Sequence, residues 1–341
     1  MRLLTHSRRA TFQECPRRDF LAYTLKRRPI HVAPALTFGT VAHQALEAYW
    51  RGRQERRSAD DCHLAAFDRV SLLSDPFARA RLVAMLACYM AYWDAMECEV
   101  IAVEHAFRIP LMHPGTGEVS SRWELAGKID VLISQNGRVK VLEHKTTGES
   151  ITPGGNYHQK TRIDGQITQY LLAVKHMGHS EAELIYDVLV KPRQKPLLAT
   201  PPHKRVRVQK GPRKGLLRAG QRETDETPSE YEFRLREVMS KNPAKYLSQM
   251  VAVRTEKAFR SYQFDLWHIT MTMEFMEQSK IAPRNPGACR AHHTPCPYFD
   301  VCDDQASIYD NTKFRNALGE HEELDFGSEE EPEDEAGEVA E

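Results

Sequence analysis

In Val141-Leu-Glu-His-Lys-Thr-Thr-Gly148, an apolar run ends by placing Glu143 and Lys145 two residues apart, just before a Thr-Thr-Gly break. Side chains alternate across an extended strand, so Val139, Val141, Glu143 and Lys145 share one face, and Lys140, Leu142 and His144 take the other. A carboxylate and an ammonium beside apolar neighbours need partners, and a divalent cation together with a phosphate would supply both. Alone, Glu-x-Lys is a weak motif that a simple salt bridge at a strand end explains better.

The company of this tripeptide favours the chemical reading. Asp130 closes Gly127-Lys-Ile-Asp130 thirteen residues before Glu143, and Gln135-Asn-Gly-Arg138 between them carries a hairpin signal. A hairpin of that length sets both carboxylates on neighbouring strands at one end of a sheet, where their repulsion invites a hard cation. His43, on a helix expected over Leu36–Trp50, offers an imidazole nitrogen, and Gly39, His43 and Glu47 share one face of that helix. Gln166 and Tyr170 fall four apart on a helix expected over Ile163–Met177, suited to contact a phosphate or a base. Glu47 and Glu104 are further carboxylates, better suited to the surface or to supporting positions.

Taken in order, Gly39-x-x-x-His43, Gly127-x-x-Asp130, Glu143-x-Lys145 and Gln166-x-x-x-Tyr170 resemble the motif series of the PD-(D/E)xK nucleases, in particular the RecB-like exonuclease branch, over residues 7 to 302. The resemblance implies that Asp130 and Glu143 bind Mg²⁺ or Mn²⁺ with His43 and the backbone carbonyl of His144. Lys145 would then orient the attacking water and steady charge on the scissile phosphate, and Gln166 and Tyr170 would position DNA. A bound metal lowers the pKa of its water and neutralises developing charge, while Lys145 supplies a fixed positive charge.

Seven cysteines in a chain without an evident secretory leader make a disulfide framework improbable. Cys62, Cys88 and Cys98 stand singly in helical-looking sequence and are expected to be small packing residues. Cys289, Cys296 and Cys302 cluster in a proline-stiffened stretch, and three thiolates leave a tetrahedral site or a cubane cluster one ligand short. Cys15, before Pro16, can supply the fourth. One distant amino-terminal cysteine with three near the carboxyl end resembles the iron–sulfur staple of the AddB nuclease domain and of CRISPR-associated and phage exonucleases, which implies a structural [4Fe–4S] cluster. The alternative is a Cys₃His zinc site (Zn²⁺) completed by His292 or His293, although the cysteine spacing is wider than the paired C-x-x-C of a zinc ribbon.

The remaining sequence frames these residues. Its 341 residues suffice for a sizeable core. Strands are expected over Val100–Leu111, Arg122–Ile133, Val139–Lys145 and Glu183–Lys191, with helices over Arg8–Leu25, from Leu82 and over Ser229–Ile281, the last broken at Lys241-Asn-Pro243. This order predicts an α/β fold, a mixed central sheet flanked by helices of the restriction-endonuclease-like PD-(D/E)xK kind, with extra helices at either end. The formal charge is zero, yet residues 320–341 hold 12 acids and no Lys or Arg, leaving 47 basic against 35 acidic side chains before them. Lys191–Arg222 carries 11 Lys or Arg and no acid, a composition suited to a polyanion or to a solvated loop.

A single nuclease domain over residues 1–318 is therefore expected, with a mobile basic insertion at 191–222 and an acidic disordered tail at 319–341. No apolar stretch approaches the roughly 18 residues of a membrane helix, Met1–Arg18 is interrupted by charge, and a cytoplasmic protein without membrane contact is expected. The implied function is metal-dependent DNA exonuclease on ends or single strands, in recombination, repair or processing. With no phosphate-binding loop in the chain, unwinding would fall to a helicase or recombination partner. The rivals are a non-cleaving DNA-binding protein of the same fold and a zinc-stabilised nucleic-acid module.

Overall fold

The computed structural model describes residues 1–30, 34–280, 282–291 and 295–324, with side chains omitted at 34–36 and 323. In chain order the elements are β1 (Arg2–Leu4), α1 (His6–Glu14), α2 (Pro16–Asp19), a π-helical turn (Phe20–Thr24), β2 (Arg27–Pro29), α3 (Pro34–Gln54), α4 (Ala59–Val70), α5 (Pro76–Asp94), β3 (Glu99–Met112), β4 (Val119–Gln135), β5 (Arg138–Thr147), α6 (Asn156–Thr161), α7 (Gly165–His176), β6 (Glu183–Val190), α8 (Pro228–Lys241), β7 (Leu247–Ala252), α9 (Glu256–Ser279), α10 (Phe299–Cys302) and β8 (Phe314–Asn316). Among the described residues no helix is long and apolar enough to cross a membrane.

The chain forms two compact units, one of Val32–His105 and Ile129–Glu256, the other of Met1–His31, Ala106–Lys128 and the residues from Lys257 onward. In the first, β4, β5, β6 and β7 lie side by side in a mixed sheet. β4 and β5 are antiparallel, β5 and β6 parallel, and β6 and β7 antiparallel. Asn136 and Gly137 both have positive φ (53° and 74°), as the tight turn joining β4 to β5 requires. The parallel β5–β6 pair needs a crossover, and α7 supplies it. Asp164 caps α7, its carboxylate accepting from the amides of Gln166 (2.7 Å) and Ile167 (3.3 Å).

Helices α3, α4, α5 and α8 bury their apolar faces with the sheet in one core, where Leu46, Trp50, Leu82, Met85, Leu86, Tyr89 and Trp93 meet Val131, Leu142, Ile185 and Leu235. Their starts follow from sequence. Asp75 accepts from the Phe77 amide with Pro76 at the first helical position, and Thr227 and Glu230 form a reciprocal capping box before α8.

The second unit pairs β1 in parallel with β4 at Trp123–Leu125 and β2 with β8 in antiparallel fashion. A small core of Leu21, Ala22, Tyr23, Tyr298, Ile308 and Phe314 lies beside the β2–β8 pair. Glu320 ion-pairs with the buried Arg8, and Glu322 with Arg315 at 2.6 Å, so the acidic run starts against folded structure. The rest of the predicted tail, 325–341, lies outside the described residues.

The mixed sheet with flanking helices matches the sequence expectation. Strand β7 departs from it, lying in the stretch expected to be helical from Ser229 to Ile281, and the short strands β1, β2 and β8 fall where no element is expected. The six residues of β7 have too little local patterning to signal a strand, and it is stabilised by edge pairing with β6, Leu184↔Ala252 through Leu189↔Leu247. Cys62 is buried in α4 and Cys88 half-buried in α5, while Cys98 lies outside the helices, before β3.

Candidate active site

The β4–β5 register runs Val131↔Leu142 to Gln135↔Arg138, and one step further it sets Asp130 opposite Glu143. There the ladder gives way to side-chain bonding, since the His144 amide donates to Oδ2 of Asp130 at 2.8 Å. Two more nitrogens approach the same oxygen: His144 Nδ1 at 3.4 Å and His43 Nδ1 at 3.6 Å. Helix α3 reaches this end of β5 by passing Gly39 close to Thr146, whose hydroxyl is 3.9 Å from where a Cβ at Gly39 would stand.

Glu143 is 1% exposed. One carboxylate oxygen accepts from Lys145 Nζ, and Oε2 is buried with no hydrogen-bond partner. Lys145 Nζ also donates to Gln166 Oε1 at 3.0 Å, and Gln166 Nε2 donates to the Tyr170 hydroxyl at 3.1 Å. A continuous polar chain thus runs from Glu143 through Lys145 and Gln166 to Tyr170, with the last two on successive turns of α7. Tyr186, the β6 partner of Glu143, lies beneath the Lys145 ammonium at 5.9 Å from its ring centre.

The electrostatics follow from burial and crowding. Burial alone would raise Asp130, but the His43 charge and the close His144 and His43 rings hold its carboxyl well below the usual range. Burial and the neighbouring Asp130 charge push Glu143 up to about 7, against the pull of Lys145. Burial opposes the charge on Lys145, yet Glu143 and Asp130 raise its pKa overall; His43 is likewise raised, Asp130 outweighing burial. Tyr170 is pushed well up by burial and by the Glu143 and Asp130 charges, with Glu104 adding to them. Glu104 has a left-handed φ of 51° inside β3, and its carboxylate lies within electrostatic reach of Tyr170. Glu47 pairs with Arg51 along α3 at 2.9 Å.

Behind the site is a polar layer that the sequence reading did not anticipate. Trp50 Nε1 donates to the Tyr89 hydroxyl at 2.8 Å, and that hydroxyl is 2.8 Å from His144 Nε2. The Tyr89 hydroxyl also bonds the Asp187 carboxylate, so it links His144 to the buried acid of β6. Asp187, the β6 partner of His144, is fully buried and accepts from Trp93 Nε1 (2.8 Å) and Gln249 Nε2 (2.7 Å). The available signal was one acid inside the apolar strand Leu184–Val190, since an isolated carboxylate seldom enters a core without partners.

His43, Asp130, Glu143, Lys145, Gln166 and Tyr170 therefore converge, with His144 contributing its backbone and ring. Among the described residues no three His, Cys, Asp or Glu side chains stand at metal-ligand spacing. In this arrangement Asp130 is turned to the histidines and Glu143 to Lys145. The donor set nevertheless suits a hard cation: two carboxylates meet at one strand end, and the orphaned Oε2 of Glu143 needs a positive partner.

In the other unit, Cys15, Cys289, Cys296 and Cys302 all line one cavity of about 20 Å³. Burial pushes the Cys296 and Cys302 thiols up, and their proximity to the other cysteines adds to this. Four cysteines lining one cavity suit a soft metal centre, although they too stand off ligand spacing. His292 and His293, the imidazoles of the zinc alternative, lie outside the described residues.

A mixed sheet bearing paired carboxylates and a lysine at one strand end defines a fold and site suited to metal-assisted cleavage of phosphodiesters. A family model for the PD-(D/E)XK nuclease superfamily matches residues 3–303, and the chain belongs to that superfamily. Among curated proteins no relative matches the chain.

Proposed function

We propose that this nuclease is a DNA exonuclease of the RecB-like branch, using Mg²⁺ or Mn²⁺ held by Asp130, Glu143, His43 and the His144 carbonyl. The observation that carries the reading is the buried, unpartnered Oε2 of Glu143 beside Asp130, with Lys145 at the same strand end. When bound, the metal supplies an activated water and neutralises charge on the phosphate. Lys145 Nζ presents a fixed positive charge to the non-bridging oxygens and to the water that attacks. Gln166 holds the ammonium from its far side and limits where it can swing. The His43 and His144 rings fix the Asp130 carboxylate.

In the same proposal Cys15, Cys289, Cys296 and Cys302 hold a [4Fe–4S] cluster that ties the amino-terminal segment to the carboxyl-terminal one in a nuclease domain spanning residues 1–318. The four-sulfur cavity supports it. The basic segment 191–222 serves as a substrate contact. Its single antiparallel bridge, Arg207↔Leu217, and a short 3₁₀ turn leave most of its cations exposed.

The test is degradation of end-labelled DNA in Mg²⁺ or Mn²⁺ by the wild type and by Glu143→Ala and Lys145→Ala. Metal-dependent shortening from an end that both substitutions abolish is expected. Salt-sensitive DNA binding without any hydrolysis would identify the non-cleaving alternative.

A further inference from the structure

Beyond the carboxylate site, the same unit contains a cavity of about 420 Å³ at the carboxyl ends of the parallel strands β5 and β6, within the size range of small-ligand sites. Ile151, Pro153 and Tyr246 supply apolar wall, and Lys191, Arg193 and Lys245 supply positive charge. Among the described residues no carboxylate pairs with any of these three cations. The one acid on the wall, Glu149, is engaged by Lys160 at 3.4 Å.

Backbone bonds set the cations in place. The Lys191 amide donates to the Thr147 carbonyl at 2.7 Å, the Val190 amide to the Tyr246 carbonyl at 2.8 Å, and the Arg193 guanidinium to the Gly148 carbonyl at 3.1 Å. Lys191 is the least solvated. Its ammonium sits 4.6 Å from the Phe38 ring centre, and burial, with the nearby Arg81 charge, lowers its pKa. A half-buried cation with no counter-charge, flanked by two more, is what an anionic ligand would relieve.

Position identifies the ligand. Val190 on the cavity wall is the register partner of Thr147, two residues beyond Lys145 on β5, so the cavity opens at the strand end that carries Lys145. The cavity combines a phosphate-binding rim with an apolar wall big enough for a base, and it adjoins the site where the scissile phosphate would lie.

We propose that this cavity is a subsite for the nucleotide next to the scissile phosphodiester, with Lys191, Arg193 and Lys245 gripping its phosphate and the Ile151–Pro153–Tyr246 wall receiving its base. The choice of ligand rests on the nuclease reading above.

The test uses the full chain in EDTA, where binding is read without hydrolysis. Fluorescence anisotropy of a labelled single-stranded oligodeoxynucleotide compares the wild type with the Lys191→Met/Arg193→Gln/Lys245→Gln triple variant. The expectation is a roughly tenfold or larger loss of affinity and a salt slope reduced by about 0.7 per lost phosphate contact. In parallel, photocrosslinking of wild type to oligonucleotides with 5-iodouracil at single positions should label residues 149–153 or 242–246 from one position only. Unchanged affinity and slope, or crosslinks falling only elsewhere, overturns the subsite. If the triple variant melts below the wild type, the Arg193→Gln/Lys245→Gln pair, both exposed, carries the binding measurement. Degradation by wild type in Mn²⁺ is scored separately. Cleavage without the crosslink removes the subsite alone, and the crosslink without cleavage removes the nuclease reading and leaves the cavity a nucleotide-binding site with no scissile neighbour.

Discussion

The amide of His144 donates to Oδ2 of Asp130 across the β4–β5 pair, while the His144 ring meets the Tyr89 hydroxyl at 2.8 Å. One residue therefore ties the carboxylate to the hydrophobic core. Because Trp50 already donates to the Tyr89 oxygen, loss of the Tyr89 hydroxyl leaves two buried nitrogens, Trp50 Nε1 and His144 Nε2, without their partner. Tyr89→Phe is expected to cost about 1–3 kcal/mol of stability, from the unmet hydrogen bonds. It should also weaken Mn²⁺ binding by roughly tenfold or more, as outer-shell changes do. Thermal melts and titration calorimetry measure the two effects, and unchanged Mn²⁺ affinity would detach the Tyr89–His144 pair from the carboxylate site.

Glu143 and His43 make metal-free stability fall as pH rises. The Glu143 carboxyl is raised from 4.5 to about 7, so its contribution is complete below about pH 4.5 and disappears as pH climbs through 7. His43, raised from 6.5, adds a loss in the same direction at higher pH. Asp130 acts oppositely, its contribution being lost only on acidification below the ordinary carboxylate range. Melting temperature without divalent ions should decline between pH 5 and pH 8, and Glu143→Gln should flatten part of that decline. Metal binding must displace the Glu143 proton, so Mn²⁺ affinity should rise up to about tenfold per pH unit below 7 and level off above it. Equal Mn²⁺-induced melting shifts at pH 6 and pH 8 would contradict this.

Much of the catalytic end of the sheet was legible because it depends on short-range rules. Asn136-Gly137 set the hairpin, the hairpin set the register, and the register set Asp130 against Glu143. Gln166 and Tyr170 followed from their four-residue spacing on the helix expected over Ile163–Met177. The supporting layer was not legible, since Tyr89 and Trp93 are simply part of the helix expected from Leu82, and the Tyr89 hydroxyl and Trp93 indole nitrogen acquire meaning only when β5 and β6 bring His144 and Asp187 to them. β7 was missed for a related reason. A six-residue edge strand is stabilised by its neighbour rather than by its own pattern.

Lys145 and Gln166 should separate by magnitude. Lys145→Ala removes the cation and leaves the Glu143 carboxylate buried without it, so kcat should fall by about 10²–10³, the scale of losing one transition-state charge contact. Gln166→Ala leaves the ammonium in place but frees one side of it. A smaller loss, about tenfold, is expected in kcat, with partial recovery in Gln166→Asn if positioning of Lys145 is its role. Single-turnover rates on a defined-end substrate distinguish the cases, and a Gln166→Ala loss as large as that of Lys145→Ala would give Gln166 a direct part in the chemistry.

The cysteines should divide into two classes under a single chemical measurement. Cys15, Cys289, Cys296 and Cys302 line one cavity, whereas Cys62 packs against α3, its sulfur 2.7 Å from where a Cβ at Gly52 would stand. If the first four hold an iron–sulfur cluster, anaerobically purified protein is coloured and contains about four iron atoms per chain. Serine at any of the four should then reduce both iron content and melting temperature, because the cluster joins a segment near residue 15 to one near residue 300 and its loss releases a long closed loop. Cys62→Ser should keep the iron and cost only packing. Colourless protein with stoichiometric zinc would transfer the four sulfurs to a tetrahedral centre. Iron retained in full by Cys15→Ser would remove the amino-terminal cysteine from the set and, with it, the tie between the two segments.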